Sequence, residues 1–274
     1  MSRPRLQIQL LGLPGAGKKR LKQALQSYFD CGAGDFAHKF EKNFVVCVPK
    51  FLDWASGRVV LPKNCLNWAV IDVRSFLEGS DAVQQQALLC LEAMLFHCEA
   101  VIWMFAESSE LEVQAKWQKW LRQWQQKHHR KLAQVSCFAQ TFQFPHQGLE
   151  QLLQGMPNCR ADFCVQPIEL ETLRVQCPKM VLSHLLFVLE ASRQAGQLSW
   201  WRVKGCLMTA EYVNPVAIEG TVNRLDTYAA DLSEDSPEMG WITLEGLNLD
   251  AEVLQEGLRA SVAQGDWDKM PVLC

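Results

Sequence analysis

The sequence predicts an α/β protein: a parallel sheet with helices on both faces, followed by a smaller α+β domain. Three observations carry that prediction. Short apolar segments alternate with amphipathic helical ones through the first half of the chain. A glycine-rich turn, Gly12-Leu13-Pro14-Gly15-Ala16-Gly17-Lys18, joins the first apolar segment to the first helical one. Around Gln154 to Arg160 the pattern breaks, with Gly155, Pro157 and Asn158, and the order of elements then changes.

Taken in order, Leu6 to Leu11 reads as a short buried strand. Lys18 to Phe29 reads as a helix, with Leu21, Ala24, Leu25 and Tyr28 at helical spacing. Phe44 to Val48 and Asn67 to Val73 are strand candidates, the latter ending near Asp72. Ala82 to His97 is helical, Ala100 to Phe105 an apolar strand, and Glu110 to Gln126 a helix with Trp117, Trp120 and Trp124 on one face. Ala133 to Phe142 is a strand and His146 to Leu153 a short helix. The expected domain boundary gives 1–158 and 159–274. The second part holds a strand (Ala161 to Val165), a long helix (Pro178 to Ala195), three strands (Ser199 to Thr209, Pro215 to Tyr228, Gly240 to Leu244) and a last helix (Asp250 to Val262). That order suits helices on one face of an antiparallel sheet.

The chain has 274 residues, 49% of them hydrophobic and 21% charged, enough to bury a sizeable core. A formal charge of -3 and a pI near 6.1 leave no global basic field to favour nucleic acid. Eleven cysteines, an odd number with no paired C-x-x-C, and an N-terminus without an apolar leader segment point to reduced thiols in the cytoplasm. The most apolar stretch, Ala87 to Phe105, is broken by Glu92, His97 and Glu99, so no membrane span is expected.

The turn between first strand and first helix has the pattern of a P-loop, which makes the first sheet one of P-loop NTPase type. Such a loop works through its backbone: glycines let successive N–H groups face phosphate oxygens, and the helix adds its positive end. The residues expected to hold a nucleotide are Gly12, Gly15, Ala16, Gly17, Lys18 and Lys19. Position 19 departs from the pattern, because Ser or Thr normally ligates Mg²⁺ there. An ammonium group has donors and no lone pair, so it repels the ion instead. Hydrolysis is therefore expected to be slow or absent. Asp72, at the end of an apolar run, stands where a Walker B carboxylate would hold magnesium through water; a strand-end Asp opening a turn is the other reading.

Cys90 and His97, at i and i+7 with Cys98 beside them, are a zinc candidate set against buried thiols packing as small apolar residues. Cys159 and Cys164 are a second thin metal candidate. Lys127 to Arg130 reads as a solvated helix end. Trp200 and Trp201 share a strand, so one should face in and the other out.

The second half carries a family resemblance. Trp201-Arg202-Val203-Lys204-Gly205, Ile218-Glu219-Gly220, and Gly240-Trp241-Ile242-Thr243-Leu244-Glu245-Gly246-Leu247-Asn248-Leu249-Asp250 follow in order, and a helix with Leu254 and Leu258 closes the pattern. This resembles the C-terminal domain of the CobW-like GTPases, and the N-terminal loop is similar to that family's P-loop. The resemblance implies a GTPase that delivers metal to zinc, cobalt or other metal enzymes. Three family features have no counterpart. The loop's Thr is Lys19. A C-x-C-C metal segment is missing, since Cys31, Cys47 and Cys65 stand alone. Val135-Ser136-Cys137-Phe138-Ala139-Gln140 stands where the guanine-reading N-K-x-D would be. Gly12, Gly15, Gly17, Lys18 and Asp72 map across.

The expectation is a divergent CobW-like nucleotide-binding protein, a pseudo-GTPase with weak or lost hydrolysis. Its implied role is in metal homeostasis or partner binding, with a client metalloprotein or another protein as partner. The implied ligand is GTP or another nucleotide; the loop is ill suited to magnesium, and zinc stays open. An active GTPase metal chaperone and a non-catalytic interaction module on a retired NTPase fold are the alternatives.

Overall fold

A computed structural model describes residues 6–30, 44–49, 65–79, 81–137, 152, 168, 170–230, 238–265 and 271–273. The chain forms two compact units, Met1–Ser80 with Gln85–Ile168, and Asp81–Gln84 with Glu169–Cys274. The boundary expected between 158 and 159 lies outside the described residues, as do most of the helix expected over 146–153 and the strand expected over 161–165.

The first unit holds β1 (Leu6–Leu11), α1 (Lys18–Asp30), β2 (Phe44–Cys47), β3 (Cys65–Asp72), α2 (Ala82–Phe96) from Gln85 onward, β4 (Ala100–Met104), α3 (Leu111–Lys127) and β5 (Ala133–Cys137). The strands form one parallel sheet in the order β2-β1-β3-β4-β5. All of β4 and nearly all of β3 are buried, as a parallel sheet covered by crossover helices requires. Ile8, Leu10, Leu66, Trp68, Val70 and Ile102 form one core with Leu21 and Leu25 of α1. The α3 stripe is also buried at Trp117, Leu121 and Trp124.

The strand order places the site. From β1 the chain crosses outward to β2, and it then returns past β1 to β3, β4 and β5. Right-handed crossovers put the connections on opposite faces. The reversal makes the carboxyl ends of β1 and β3 the topological switch point, the ordinary ligand position of an open α/β sheet. Gly12 follows β1 and Asp72 ends β3, so both expected site elements lie at this switch point.

Arg130 corrects the reading of a solvated helix end. Its guanidinium reaches back to the end of α2 and donates to the carbonyls of Leu95 (3.1 Å), Phe96 and Cys98 (3.0 Å). The Leu95 and Phe96 carbonyls are among those that a helix C-terminus leaves without an intrahelical donor, and Cys98 follows just beyond the helix end.

The second unit holds β6 (Glu171–Gln176), α4 (Leu182–Gln194), β7 (Leu198–Leu207), β8 (Val216–Thr221), β9 (Arg224–Ala229), β10 (Trp241–Leu249), α5 (Ala251–Ala260) and β11 (Val272–Leu273). They form an antiparallel sheet in the order β11-β6-β10-β7-β8-β9. Leu185 and Leu189 of α4 and Leu254 and Leu258 of α5 pack with Leu198, Trp200, Val203, Ile218, Ile242 and Leu244 of the sheet. The strand expected over Pro215 to Tyr228 is two strands. A turn at Val222 and Asn223 lets Thr221 pair with Arg224. The tryptophan pair does not alternate, because both Trp200 and Trp201 are buried. Glu245 pairs with Arg202 and Gly246 with Trp200, so Trp201 is the extra residue of a β-bulge, where alternation breaks.

Candidate functional site

The loop from Gly12 to Lys18 has the local geometry its sequence predicts. Gly12 passes so close to β3 that a Cβ would lie 2.4 Å from the Val70 carbonyl oxygen. Gly15 and Gly17 have φ of 78° and 83°, in the left-handed region that side chains other than glycine rarely occupy. Ala16 closes the turn: its N–H donates to the Leu13 carbonyl (3.3 Å), and its methyl is buried in the core. α1 begins at once, and Leu21 donates back to the Gly17 carbonyl (3.0 Å). No acidic residue stands in its first turn, which is instead Lys18, Lys19 and Arg20. The N–H groups of that turn have no helical acceptor four residues earlier, and with the helix dipole they favour an anion.

Lys18 folds over its own loop. Its ammonium donates to the carbonyls of Gly12 and Leu13, the second at 2.9 Å. The charge is thereby held above the turn rather than extended into solvent. Lys19 and Arg20 are exposed beside it.

Asp72 is held by its own strand end. Oδ1 accepts from the Arg74 backbone N–H (3.0 Å) and from Arg74 Nε (3.0 Å), and Oδ2 accepts from Arg74 Nη2 (2.8 Å). The pair is a two-pronged guanidinium–carboxylate contact, with the Asp72 side chain only 15% exposed. The Arg74 guanidinium lies 3.7 Å from the centre of the Phe105 ring. That ring also abuts the loop, since a Cβ on Gly17 would come within 2.9 Å of Phe105 Cε2. Phe105 itself has φ of 64°, an unusual backbone for a bulky side chain and a mark of local constraint.

The sequence pattern pointed to the loop and Asp72 but not to Arg74 and Phe105, which the structure places beside them. A cation two residues after a strand-end acid was the available signal for Arg74. Phe105 gave none, because it reads as the last residue of an apolar strand.

The residues present do not fit magnesium in the manner of a P-loop NTPase. The hydroxyl position is an ammonium, and the carboxylate that would hold the ion through water is already engaged by Arg74. Among the described residues there is also no group of three or more His, Cys, Asp or Glu side chains arranged to hold a metal. Burial pushes the Cys90 thiol up to about 12. Burial, and after it the Glu99 charge, pushes Cys98 well above its usual value. Thiolate is the metal-binding form, and burial holds both of these thiols protonated. Cys159 and Cys164 lie outside the described residues, as do Phe138, Ala139 and Gln140 beyond β5. No described helix is long and apolar enough to cross a membrane.

The first unit is thus a parallel α/β sheet of P-loop type, followed in the chain by an antiparallel α+β unit. No family model matches the chain, and no curated protein matches it. Among solved structures it is similar to the Zn(II)-bound YjiA GTPase from E. coli, at 10% identity and TM-score 0.32, over 96% of this chain and 100% of that one. It is also similar to the apo form of translation elongation factor SelB from Methanococcus maripaludis, at 12% identity and TM-score 0.39, over 90% of this chain and 57% of that one. A third is sup35 complexed with GDP, at 10% identity and TM-score 0.35, over 90% and 68%. At such distances the functional reading rests on this chain's own residues.

Proposed function

We propose that this chain is a divergent CobW-like protein that binds a nucleotide through its phosphates, hydrolyses it slowly or not at all, and acts by contact with a protein partner in the cytoplasm. One observation carries the reading. The loop has the close approach at Gly12 and the positive φ at Gly15 and Gly17 of a phosphate-holding turn, while the hydroxyl position is Lys19 and the Asp72 carboxylate is engaged by Arg74. Backbone N–H groups and Lys18 would bind the β- and γ-phosphates, with Lys19 and Arg20 adding charge from the first turn of α1. Hydrolysis needs the charge developing in the transition state to be neutralised and a water to be aligned. The loop supplies cations for the first task. Nothing in the described loop is a base or water-orienting group for the second.

The resemblance of its sequence motifs to CobW-like proteins gives the proposed role its metal theme: a client metalloprotein as partner. Titration of the full chain with GTP, GDP, ATP and ADP by calorimetry, together with a phosphate-release assay, tests the proposal. The expected result is nucleotide binding that Lys18→Ala weakens at least about tenfold, the loss of one charge-assisted contact. Phosphate release should stay near the uncatalysed rate. Turnover at ordinary GTPase rates, lost in Lys18→Ala, would instead establish an active GTPase. A folded protein that binds none of the four would leave the interaction module on a retired fold.

A further inference from the structure

Three groups around the loop are arranged as one unit. Lys19 occupies the position of the metal-binding hydroxyl. The Asp72 carboxylate is taken up by Arg74 through both of its oxygens. Arg74 is not a distant surface cation, because its guanidinium is stacked at 3.7 Å on the Phe105 ring, whose edge lies against Gly17 of the loop. The guanidinium thus stands one aromatic ring from the phosphate-binding turn. It is fixed there by an ion pair on one side and a π-face on the other.

We propose that Arg74 is the built-in counter-ion of this site, so that the loop takes the metal-free polyphosphate of a nucleoside di- or triphosphate and Mg²⁺ opposes binding. The inference rests on the nucleotide reading above and adds the form of the ligand. A guanidinium carries five N–H donors in a planar fork, so Asp72 and a phosphate oxygen can share it. Its charge is permanent, whereas a metal must be recruited. In an ordinary P-loop, Mg²⁺ bridges protein and phosphate and raises affinity. Here Mg²⁺ would have no hydroxyl to meet, since Lys19 stands at that position, and it would cancel the phosphate charge that the cations attract. Mg²⁺ and protein become competitors for the same oxygens.

The test is a titration of the full chain with GDP and GTP, in excess Mg²⁺ and in EDTA, with a thermal melt of every variant. The wild type is expected to bind more tightly in EDTA. Arg74→Gln should weaken EDTA binding at least about tenfold, the loss of one charge-assisted contact. Asp72→Asn removes the competing carboxylate and should tighten EDTA binding. The double substitution Lys19→Thr with Arg74→Gln restores a hydroxyl and releases Asp72, and it should bind more tightly with Mg²⁺ than without. Tighter wild-type binding in Mg²⁺ overturns the role of Arg74 and leaves the nucleotide reading standing. So does an Arg74→Gln variant that melts like wild type and binds equally well in EDTA. Should Arg74→Gln fail to fold, Asp72→Asn decides: unchanged or weaker EDTA binding overturns the proposal. Folded wild type that binds neither nucleotide in either buffer overturns the nucleotide reading and this inference with it.

Discussion

The two sheets dispose of their charged side chains in opposite ways. In the parallel sheet β3 and β4 are buried along almost their whole length, and charge gathers where the strands end. There Lys18, Lys19, Arg20 and Arg74 stand near the carboxylate of Asp72, with Glu107 just past β4. The antiparallel sheet has one face under α4 and α5 and one polar face. On that polar face Arg174, Arg202 and Lys204 alternate with Glu238 and Glu245 around Trp241. Arg174 pairs with Glu238 and stacks on Trp241 at 4.1 Å. The difference follows from coverage. A sheet buried on both faces has only its ends for charge, and charge gathered at strand ends can meet a ligand. A sheet with an open face can neutralise its charges against one another in place.

Breaking the apolar half of the second sheet should have the largest effect. Trp200 is fully buried in the core under α4 and α5, and its indole N–H donates to the Thr221 carbonyl (3.2 Å). Trp200→Ala should cost about 3–5 kcal/mol of stability, measured by urea unfolding followed by far-UV circular dichroism. A loss below about 1 kcal/mol would mean that this side chain does not organise the core.

The first sheet should be broken next most strongly at the loop. Gly12→Ala sets a methyl against the Val70 carbonyl oxygen, a backbone atom that can move only if β1 and β3 part. The expected cost is about 1–3 kcal/mol. Nucleotide binding should fall in parallel, while Trp200→Ala should lower stability without a specific effect on the loop. Equal loss of binding in both variants at temperatures where both are folded would erase the contrast between the sheets.

The smallest effect sharpens the picture of locally neutralised charge. Glu211 accepts from the first N–H groups of α4, at Leu182 (3.0 Å) and Ser183 (3.1 Å). Burial raises its pKa, and those backbone donors more than reverse the rise, so its carboxyl sits below the ordinary value. A folded-state pKa below the unfolded one adds stability above the unfolded value, roughly 4.3, and that stability is lost as pH falls through the folded pKa. Glu211→Gln should cost about 0.5–1 kcal/mol at neutral pH, near the low end for a helix cap because the group is largely exposed. The gap between variant and wild type should close below about pH 4. A constant gap down to pH 2 would show that the carboxylate charge plays no part.

The sequence was most legible where local chemistry and local structure coincide. The strand, glycine turn and helix from Leu6 to Asp30 can be read directly, because positive φ and close approach demand glycine where glycine stands. The α3 stripe expected at Trp117, Trp120 and Trp124 is legible from its spacing at Trp117 and Trp124, which are buried with Leu121, whereas Trp120 is only half-buried. What escaped reading depends on partners distant in the chain or on breaks in periodicity. β6 and β11 are strands through their pairing more than their composition. The bulge at Trp201 breaks the alternation from which its direction would be read. At the site, Asp72 was visible as a strand-end acid. That Arg74 claims it, and that Phe105 carries Arg74 to the loop, are facts of three dimensions.

The Phe105 ring has a consequence for how this chain can drift in sequence. Because the ring touches Gly17 on one side and carries Arg74 on the other, the three positions form a single steric and electrostatic unit across two strand ends and a helix start. A smaller side chain at 105 would leave the guanidinium without its platform, and a larger one would press on the turn. Substitution at 105 is therefore expected to be tolerated only alongside compensating change at 17 or 74. A comparison of natural variants can look for that triplet as a unit, even where the glycine pattern of the loop has faded.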